Sequence, residues 1–188
     1  MSTPHDEPPR VPGWASAFVL TASDASAAGV RPDASGRQIV ERLAAIGFGR
    51  VDTAVVPDEQ PVIEAALREA AAHHDVIVTT GGTGLTPRDV TPQATRAVLD
   101  YEVPGLAEAI RAAGRVHTPL ADLSRGVVGV VGRALVINVP GSPRAAMESL
   151  SAIESVLAHA IETLAGPYDH GQRPLDDAGR PTEPKTGR

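Results

Sequence analysis

The chain has 188 residues, of which 42% are hydrophobic and 21% charged, and its formal net charge is −6. This length and composition predict one globular domain with its own core, and the acidic balance argues against non-specific binding of nucleic acid. Because the chain has no cysteine, disulfides, thiolate catalysis and zinc–cysteine sites are excluded, and the cytoplasm is the simplest location.

The two ends of the chain differ in composition from its middle. Residues 1–13 are polar and proline-rich without an apolar segment, which predicts a flexible arm rather than a signal peptide. Residues 167–188 combine proline, glycine and charge without periodicity, and we expect a disordered tail. A single domain is therefore predicted over residues 14–166. No run reaches the length of about eighteen apolar residues typical of a membrane span, so no membrane partner is expected.

The first half of the predicted domain alternates short apolar runs with amphipathic segments. In chain order the predicted elements are strand 17–20, a helix from Ser35 to Gly47, strand 51–56, helix 60–74 and strand 75–80. Ser35 and Gln38 form a capping-box pattern at the start of the first helix, and Gly47 ends it. The third strand is apolar on successive residues, which is typical of a strand covered on both faces.

The second half continues the same alternation. Its predicted elements are a helix that begins at Thr91 and Pro92, helix 106–113, strands 127–131 and 135–139, and a long last helix that begins at Ser142. Thr91 is the expected N-cap of its helix, with Pro92 at the first helical position. Gly132 and Arg133 predict a hairpin turn between the two strands. One apolar stripe from Met147 to Leu164 predicts that the last helix is continuous.

This order of elements predicts a three-layer α/β/α sandwich with a mainly parallel sheet and an antiparallel edge hairpin. In such sheets, ligands bind beyond the carboxyl ends of the strands. Four loops leave those ends, and their polar or glycine residues are Ser23 and Asp24, then Asp58, then residues 80–84 with Asp89, and finally Gly141 and Ser142. A glycine run exposes backbone N–H groups to phosphate, and carboxylates are ligands for Mg²⁺. These parts suit phosphoryl or nucleotidyl transfer.

Simpler roles stay open for the same residues. Three glycines can form an ordinary tight loop, and the run matches neither the Rossmann nor the P-loop pattern. Asp58 can cap the helix that follows it, Asp89 can be a loop acid, and Ser142 can act only as an N-cap. The residues alone therefore predict an anion and Mg²⁺ site in an α/β protein, and they do not identify a reaction.

Several motifs together resemble a known family. The sequence TTGGTG at residues 79–84, followed by RDVTP at 88–92, resembles the signature of the molybdopterin-binding MogA/MoaB family. The segments PDE at 57–59, LSRG at 123–126 and NVPGSP at 138–143 fit the same family. Many members have an arginine after the Ser-Asp pair of the first loop, where this chain has Ala25. The resemblance extends over about residues 15–166 and implies a three-layer fold and a role in molybdenum cofactor biosynthesis.

The resemblance implies a nucleotidyltransferase, a molybdopterin adenylyltransferase. Such enzymes use Mg²⁺ and ATP to attach AMP to the terminal phosphate of molybdopterin, release pyrophosphate, and pass the product on for molybdate insertion. Asp58 and Asp89 match the two functional acids, as catalytic residues that handle Mg²⁺ and ATP. Substrate binding falls on Ser23, Asp24, Thr80, Gly81, Gly82, Thr83, Gly84, Gly141 and Ser142.

Other functions within the same fold stay open. A non-catalytic MoaB-like protein would bind molybdopterin or a precursor, or act as a scaffold for the pathway. A domain related to competence-damage-inducible proteins would instead hydrolyse nucleotide derivatives. The resemblance also implies a homotrimer, with a hexamer as the alternative, and a molybdate-insertion protein as a possible partner.

Overall fold

A computed structural model describes residues 10–166 as a six-stranded sheet with helices on both faces. The strands are β1 Ser16–Ala22, β2 Arg50–Val56, β3 Val76–Thr80, β4 Tyr101–Glu102, β5 Val128–Val131 and β6 Ala134–Val139. The helices are α1 Asp24–Ala27, α2 Ala34–Ile46, α3 Gln60–His73, α4 Thr91–Arg96, α5 Pro104–Arg115, α6 Pro143–Ser151 and α7 Glu154–Ala165, with a 3₁₀ helix at Pro119–Leu123. The predicted tail, residues 167–188, lies outside the described residues.

The strands lie in the order β2-β1-β3-β6-β5-β4. The first four of these are parallel to one another, whereas β5 is antiparallel to β6 and β4 is antiparallel to β5. The predicted sandwich, with a mainly parallel sheet and an antiparallel edge, is therefore confirmed. The two-residue strand β4 lies outside the predicted hairpin and was not expected, because two residues are too few to show a period.

The core lies on both sides of the sheet, and β3 shows how it divides. Val76 and Val78 pack with α2, α5, α6 and α7, whereas Ile77 packs with α3 and α4 on the opposite face. All three side chains are fully buried, and each such burial stabilises the fold by about 1.5–3 kcal/mol. The apolar run of β3 thus serves two cores, as the sequence predicted.

The start of α2 differs from the capping box that the sequence predicted. The N-cap is Asp33, whose carboxylate accepts a hydrogen bond of 2.8 Å from the Gly36 N–H. Ser35 lies inside the helix, and its hydroxyl donates to Asp33. The predicted end is confirmed, because Gly47 is the C-cap in the left-handed conformation, with φ +112°.

The predicted long last helix is two helices, α6 and α7. The chain turns at Ala152 and Ile153, where the sequence has neither glycine nor proline. Ile153 is buried, so the apolar stripe runs unbroken through the turn and hides it from the sequence pattern. After the turn the buried Glu154 carboxylate meets the Arg42 guanidinium on α2 at 2.5 Å.

The packed chain begins before the predicted domain boundary at residue 14. Val11 is buried, and its N–H donates to the Ile46 carbonyl at 3.2 Å. Residues 10–13 of the predicted arm therefore pack on the end of α2, while residues 1–9 lie outside the described part. Within residues 10–166, no helix is long and apolar enough to cross a membrane.

Candidate active site

The loops that follow β1, β2, β3 and β6 meet at one edge of the sheet, which we call the carboxyl edge. The Thr80 hydroxyl donates to the Pro140 carbonyl at 2.9 Å, which ties the loop after β3 to the loop after β6. Gly81 and Gly141 touch, since a Cβ on Gly141 would lie 3.2 Å from the Gly81 Cα. Three predicted site residues therefore come together, but the Thr80 hydroxyl is occupied by a contact within the protein.

The loop of residues 81–84, which we call the glycine loop, needs the backbone freedom of its first two residues. Gly81 and Gly82 have φ values of +96° and +61°, and a Cβ on Gly81 would lie 2.3 Å from the Ala22 carbonyl oxygen. Among the described residues, the N–H groups of Gly82, Thr83 and Gly84 donate no hydrogen bond. Unpaired N–H groups in such a loop are the donors that phosphate sites use.

Asp24 and Asp58 bond to each other's backbone across the carboxyl edge. The Asp24 N–H donates to Asp58 Oδ2 at 2.9 Å, and the Asp58 N–H donates to Asp24 Oδ1 at 3.0 Å. Arg88 donates to both Asp24 oxygens at 2.7 Å, and these hydrogen bonds hold the Asp24 pKa below its usual value. Asp58 is not the cap of α3, because Glu59 occupies that position without a side-chain bond.

The Asp58 carboxylate is an unfavourably placed negative charge. Burial raises its pKa, and the nearby charges of Asp24 and Asp89 push in the same direction, against a hydrogen bond from the Asp24 N–H and the positive charge of Arg88. Its Oδ1 faces the glycine loop, since a Cβ on Gly82 would lie 3.3 Å from it. A cation at this place would offset the cost of keeping Asp58 ionised.

Asp89 lies beside Gly84, the last residue of the glycine loop. Its Oδ2 accepts a hydrogen bond of 2.8 Å from the Thr86 N–H, so the carboxylate also stabilises the turn at residues 86–89. A Cβ on Gly84 would lie 3.0 Å from the same oxygen. Residues 10–166 contain no group of three His, Cys, Asp or Glu side chains placed to hold a metal. The site fits an ion such as Mg²⁺, which takes one or two carboxylates and completes its shell with water and phosphate.

Arg31 and Arg125 lie at the carboxyl edge with Arg88, and none of the three was predicted as a site residue. Arg31 donates to the Ser23 hydroxyl at 3.2 Å, which brings a guanidinium to the first loop although position 25 is alanine. Arg125 donates to the Gly84 carbonyl at 2.6 Å and also to the Asp89 carbonyl, and its own N–H donates to Thr83. The LSRG motif was the available signal for Arg125, whereas nothing in the sequence pattern pointed to Arg31.

Two cavities flank the glycine loop. The first, of about 160 Å³, is lined in part by Ser23, Arg31 and Gly81. The second, of about 250 Å³, is mainly apolar and includes Thr83 and Leu123 in its wall. The glycine loop thus forms a wall shared by two neighbouring spaces, which suits a reaction that joins two ligands.

Two hydroxyls at helix starts differ from the expected capping roles. Ser142 is the N-cap of α6 by position, but its exposed side chain makes no capping bond. Val90, not Thr91, is the N-cap of α4. Thr91 is fully buried, its N–H donates to the Gly82 carbonyl at 3.2 Å, and its Oγ1 has no hydrogen-bond partner among the described residues.

A wider groove of about 780 Å³ lies at the opposite, amino edge of the sheet, where the parallel strands begin. Its polar groups bond to one another. Asp52 accepts from His74 at 2.9 Å and pairs with Arg50 at 3.1 Å, while Asp75 accepts from the Ser16 N–H and hydroxyl. This groove holds none of the predicted site residues. Because its charged and polar side chains bond to one another, no ligand is needed to explain why they are there.

Comparison with known proteins gives consistent similarities. Residues 18–159 match the family described as "Probable molybdopterin binding domain". The molybdenum cofactor synthesis protein cinnamon of Drosophila melanogaster is 39% identical over 150 residues, which are 78% of this chain but only 25% of that protein. A molybdopterin adenylyltransferase of Helicobacter pylori is 36% identical over 154 residues, 80% of this chain and 88% of that enzyme. The structure of the molybdopterin biosynthesis enzyme MoaB of Thermus thermophilus is 47% identical, covers 82% of this chain and 99% of its own, and superposes with a TM-score of 0.72.

Proposed function

The chain belongs to the molybdopterin-binding domain family, and from that premise we propose that it is a molybdopterin adenylyltransferase of molybdenum cofactor biosynthesis. In this reaction an oxygen of the terminal phosphate of molybdopterin attacks the α-phosphorus of ATP. A new P–O–P bond forms, the bond between the α-phosphorus and the bridging oxygen breaks, and pyrophosphate leaves with its electron pair. The enzyme therefore has to hold two phosphate-bearing substrates side by side.

The observation that supports this proposal most directly is the position of Asp58. Its Oδ1 faces Gly82 in the loop that walls both cavities. An acid whose ionised form is disfavoured by burial, next to unused backbone N–H groups, suits a site that receives a cation together with a phosphate group.

The chain's own groups can account for most of the rate enhancement by positioning. Gly82, Thr83 and Gly84 would donate N–H bonds to phosphate oxygens, while Arg125 holds the carbonyls of this loop in place. Arg31, at the wall of the smaller cavity, would add positive charge for a phosphate. Phosphoryl transfer needs little covalent help from a protein beyond such positioning and charge neutralisation.

We include Mg²⁺ and ATP in the proposal. Asp58, beside Gly82, and Asp89, beside Gly84, would hold the ion, and the ion would supply neutralisation of the polyphosphate charge. Ser23 and Asp24, which adjoin Asp58, would complete the wall of the nucleotide site together with Gly141 and Ser142. Thr80 would act indirectly, through its bond to Pro140.

The test is an adenylylation assay with purified protein, molybdopterin, Mg²⁺ and labelled ATP, read as adenylylated pterin and pyrophosphate. We expect Asp58→Asn and Asp89→Asn each to lower kcat by at least about 100-fold, the scale of losing electrostatic stabilisation in the transition state. Asp52→Asn is the matched control, because it is the same substitution on β2 at the amino edge. Full activity in both site variants would contradict the assignment.

Stability measurements separate loss of function from loss of fold. Since burial raises the Asp58 pKa, its ionisation at neutral pH opposes folding, and this cost is absent below the pKa of the unfolded chain. Asp58→Asn should therefore keep or raise the free energy of unfolding at pH 7 relative to the wild type. The amide oxygen can still accept the Asp24 N–H. A large drop in stability would instead make Asp58 a structural acid.

The alternative is a protein that binds molybdopterin without turnover, in the manner of a MoaB-like scaffold. Tight molybdopterin binding by calorimetry without release of pyrophosphate would favour it. Release of a nucleotide product without pterin would favour the nucleotide hydrolase. The presence of both Asp58 and Asp89 supports the transferase, because a protein that had lost the activity could have lost either acid.

We also propose that the protein acts in the cytoplasm as a homotrimer and delivers its product to a molybdate-insertion protein. Light scattering coupled to gel filtration would distinguish the trimer from a hexamer or a monomer. Retention of labelled adenylylated pterin by a complex of the two proteins would support direct transfer.

A further inference from the structure

Arg88 is a charged residue of the RDVTP motif to which the proposed function gives no role. Its Nε donates to Asp24 Oδ2 at 3.0 Å, and its Nη2 donates to both Asp24 oxygens at 2.7 Å. Asp24 and Asp58 in turn bond to each other's backbone. Arg88 therefore links the loop after β3 to the loops after β1 and β2, where the nucleotide is proposed to bind.

The ion pair between Arg88 and Asp24 is open to solvent. The two side chains are 59% and 49% exposed, and ion pairs of this kind contribute little to stability, so a change of partner costs little. Within residues 10–166, Arg88 Nη1 donates no hydrogen bond, and the side chain has no acceptor other than Asp24. The guanidinium is thus free to change partner by rotation of an exposed side chain, which is a fast motion.

The backbone next to Arg88, in contrast, is held in place. Asp89 donates its N–H to the Thr86 carbonyl at 3.0 Å, and the Asp89 carbonyl accepts a hydrogen bond from Arg125. Arg125 also binds the carbonyl of Gly84, the last residue of the glycine loop. The side chain of Arg88 therefore extends from the same fixed segment that presents the unpaired N–H groups of the glycine loop.

The charges around Arg88 indicate a polyanion as its second partner. The hydrogen bonds and charge of Asp24, with the charges of Asp58 and Glu59, raise the Arg88 pKa, so the guanidinium stays charged. Asp58 also faces Gly82, which brings the charge of Arg88 close to the glycine loop. A triphosphate that enters among these three carboxylates is repelled unless positive charge accompanies it. A guanidinium supplies that charge and can bind phosphate oxygens by two parallel hydrogen bonds.

We propose that Arg88 leaves Asp24 when a nucleotide binds and donates instead to the β- and γ-phosphates, the part of ATP that becomes pyrophosphate. In the proposed reaction, negative charge develops on this group as its bond to the α-phosphorus breaks, and a guanidinium beside it stabilises that charge. The inference rests on the proposed function for this role in the reaction. The exchange of partners is measurable with pyrophosphate alone, so it can stand if no adenylylation of molybdopterin is found.

The test measures binding of inorganic pyrophosphate by calorimetry to the wild type and its variants. Arg88→Ala should lower the affinity about 10-fold, the effect of losing a hydrogen bond between charged groups. Asp24→Asn should raise the affinity by up to about 5-fold, because Arg88 is released from an exposed ion pair. The gain from Asp24→Asn should disappear in the double variant, since Arg88 is then absent, whereas two independent effects would add.

Arg96→Ala is the matched control, because Arg96 also donates Nε to an exposed carboxylate, that of Glu102, at 2.9 Å. It should leave pyrophosphate affinity unchanged. AMP lacks the β- and γ-phosphates, so its affinity should be equal in wild type and Arg88→Ala. If Arg88→Ala fails to fold, Arg88→Gln must show the same loss. Four results would each overturn the proposal: wild type that binds no pyrophosphate, unchanged pyrophosphate affinity without Arg88, an equal loss for AMP, or a gain from Asp24→Asn that persists in the double variant.

Discussion

The two edges of one sheet use polar residues in opposite ways. At the amino edge, Asp52 and Asp75 accept hydrogen bonds from neighbouring groups of the chain. At the carboxyl edge, burial raises the pKa of Asp58, and the Thr91 hydroxyl has no partner within the described residues. Since both edges are built on the same strands, strand geometry does not cause the difference. The amino edge is arranged for stability, whereas the carboxyl edge keeps groups free for a ligand at a cost in stability.

The largest difference in stability between the two edges is expected for alanine substitutions of one glycine at each edge. Gly81 and Gly132 both have positive φ, but a Cβ on Gly81 would lie 2.3 Å from a backbone oxygen, whereas Gly132 has open space around it. We expect Gly132→Ala to lower the free energy of unfolding by about 1 kcal/mol from backbone conformation alone. Gly81→Ala should lower it by about 3 kcal/mol and abolish activity, because the loop must also move. Urea unfolding of both variants checks this; equal losses would contradict it.

An intermediate effect on activity is expected for Arg125, whose guanidinium donates hydrogen bonds to the carbonyls of Gly84 and Asp89. Arg125→Ala should lower kcat/KM by about 100-fold, because a displacement of roughly 1 Å in a positioning group has that effect. Arg68→Ala is the control, since Arg68 also donates to a carbonyl, that of Ala97 at the end of α4, and makes no hydrogen bond to the glycine loop. Steady-state kinetics on both variants would show whether Arg125 holds the site; similar values for the two would show that it does not.

The smallest effect should come from Asp52 at the amino edge. A hydrogen bond from His74 lowers the Asp52 pKa, so this carboxylate stabilises the fold above its unfolded pKa of about 4. That contribution disappears as pH falls through the lower folded pKa. We therefore expect Asp52→Asn to be slightly less stable than wild type at pH 7, to equal it near pH 2, and to keep full activity. Unfolding curves across this pH range provide the measurement. A stability difference between wild type and Asp52→Asn that grows on acidification would contradict a lowered Asp52 pKa.

The layered fold could be predicted because its signals are local and repeated. The apolar run of β3 and the periodicity of α2, α3 and α5 each extend over several residues, so single exceptions do not hide them. The turn at Ala152 was missed because Ile153 continues the apolar stripe of α6 into α7. At this turn, Glu154 pairs with Arg42 on α2, which is distant in the sequence, and no glycine or proline marks the end of α6.

The candidate site was predicted less completely, because its contacts join distant parts of the chain. The topology rule for parallel sheets is enough to place the loops of Asp58, Gly81 and Gly141 at one edge. It does not show that Arg125 reaches back 41 residues to Gly84. Nor does it show that Thr91 leaves its hydroxyl unpaired, since a threonine before a proline has the ordinary pattern of a helix cap.

The position of β6 in the sheet has a consequence for synthesis of the chain. β6 fills the place beside β3, yet roughly sixty residues separate the ends of these two strands in the sequence. At typical translation rates, one edge of β3 stays without its partner for roughly 3–12 s after the strand itself is made. An apolar strand with an open edge is prone to pair with other chains. The strand that carries the glycine loop is therefore a point where a nascent chain is vulnerable to aggregation.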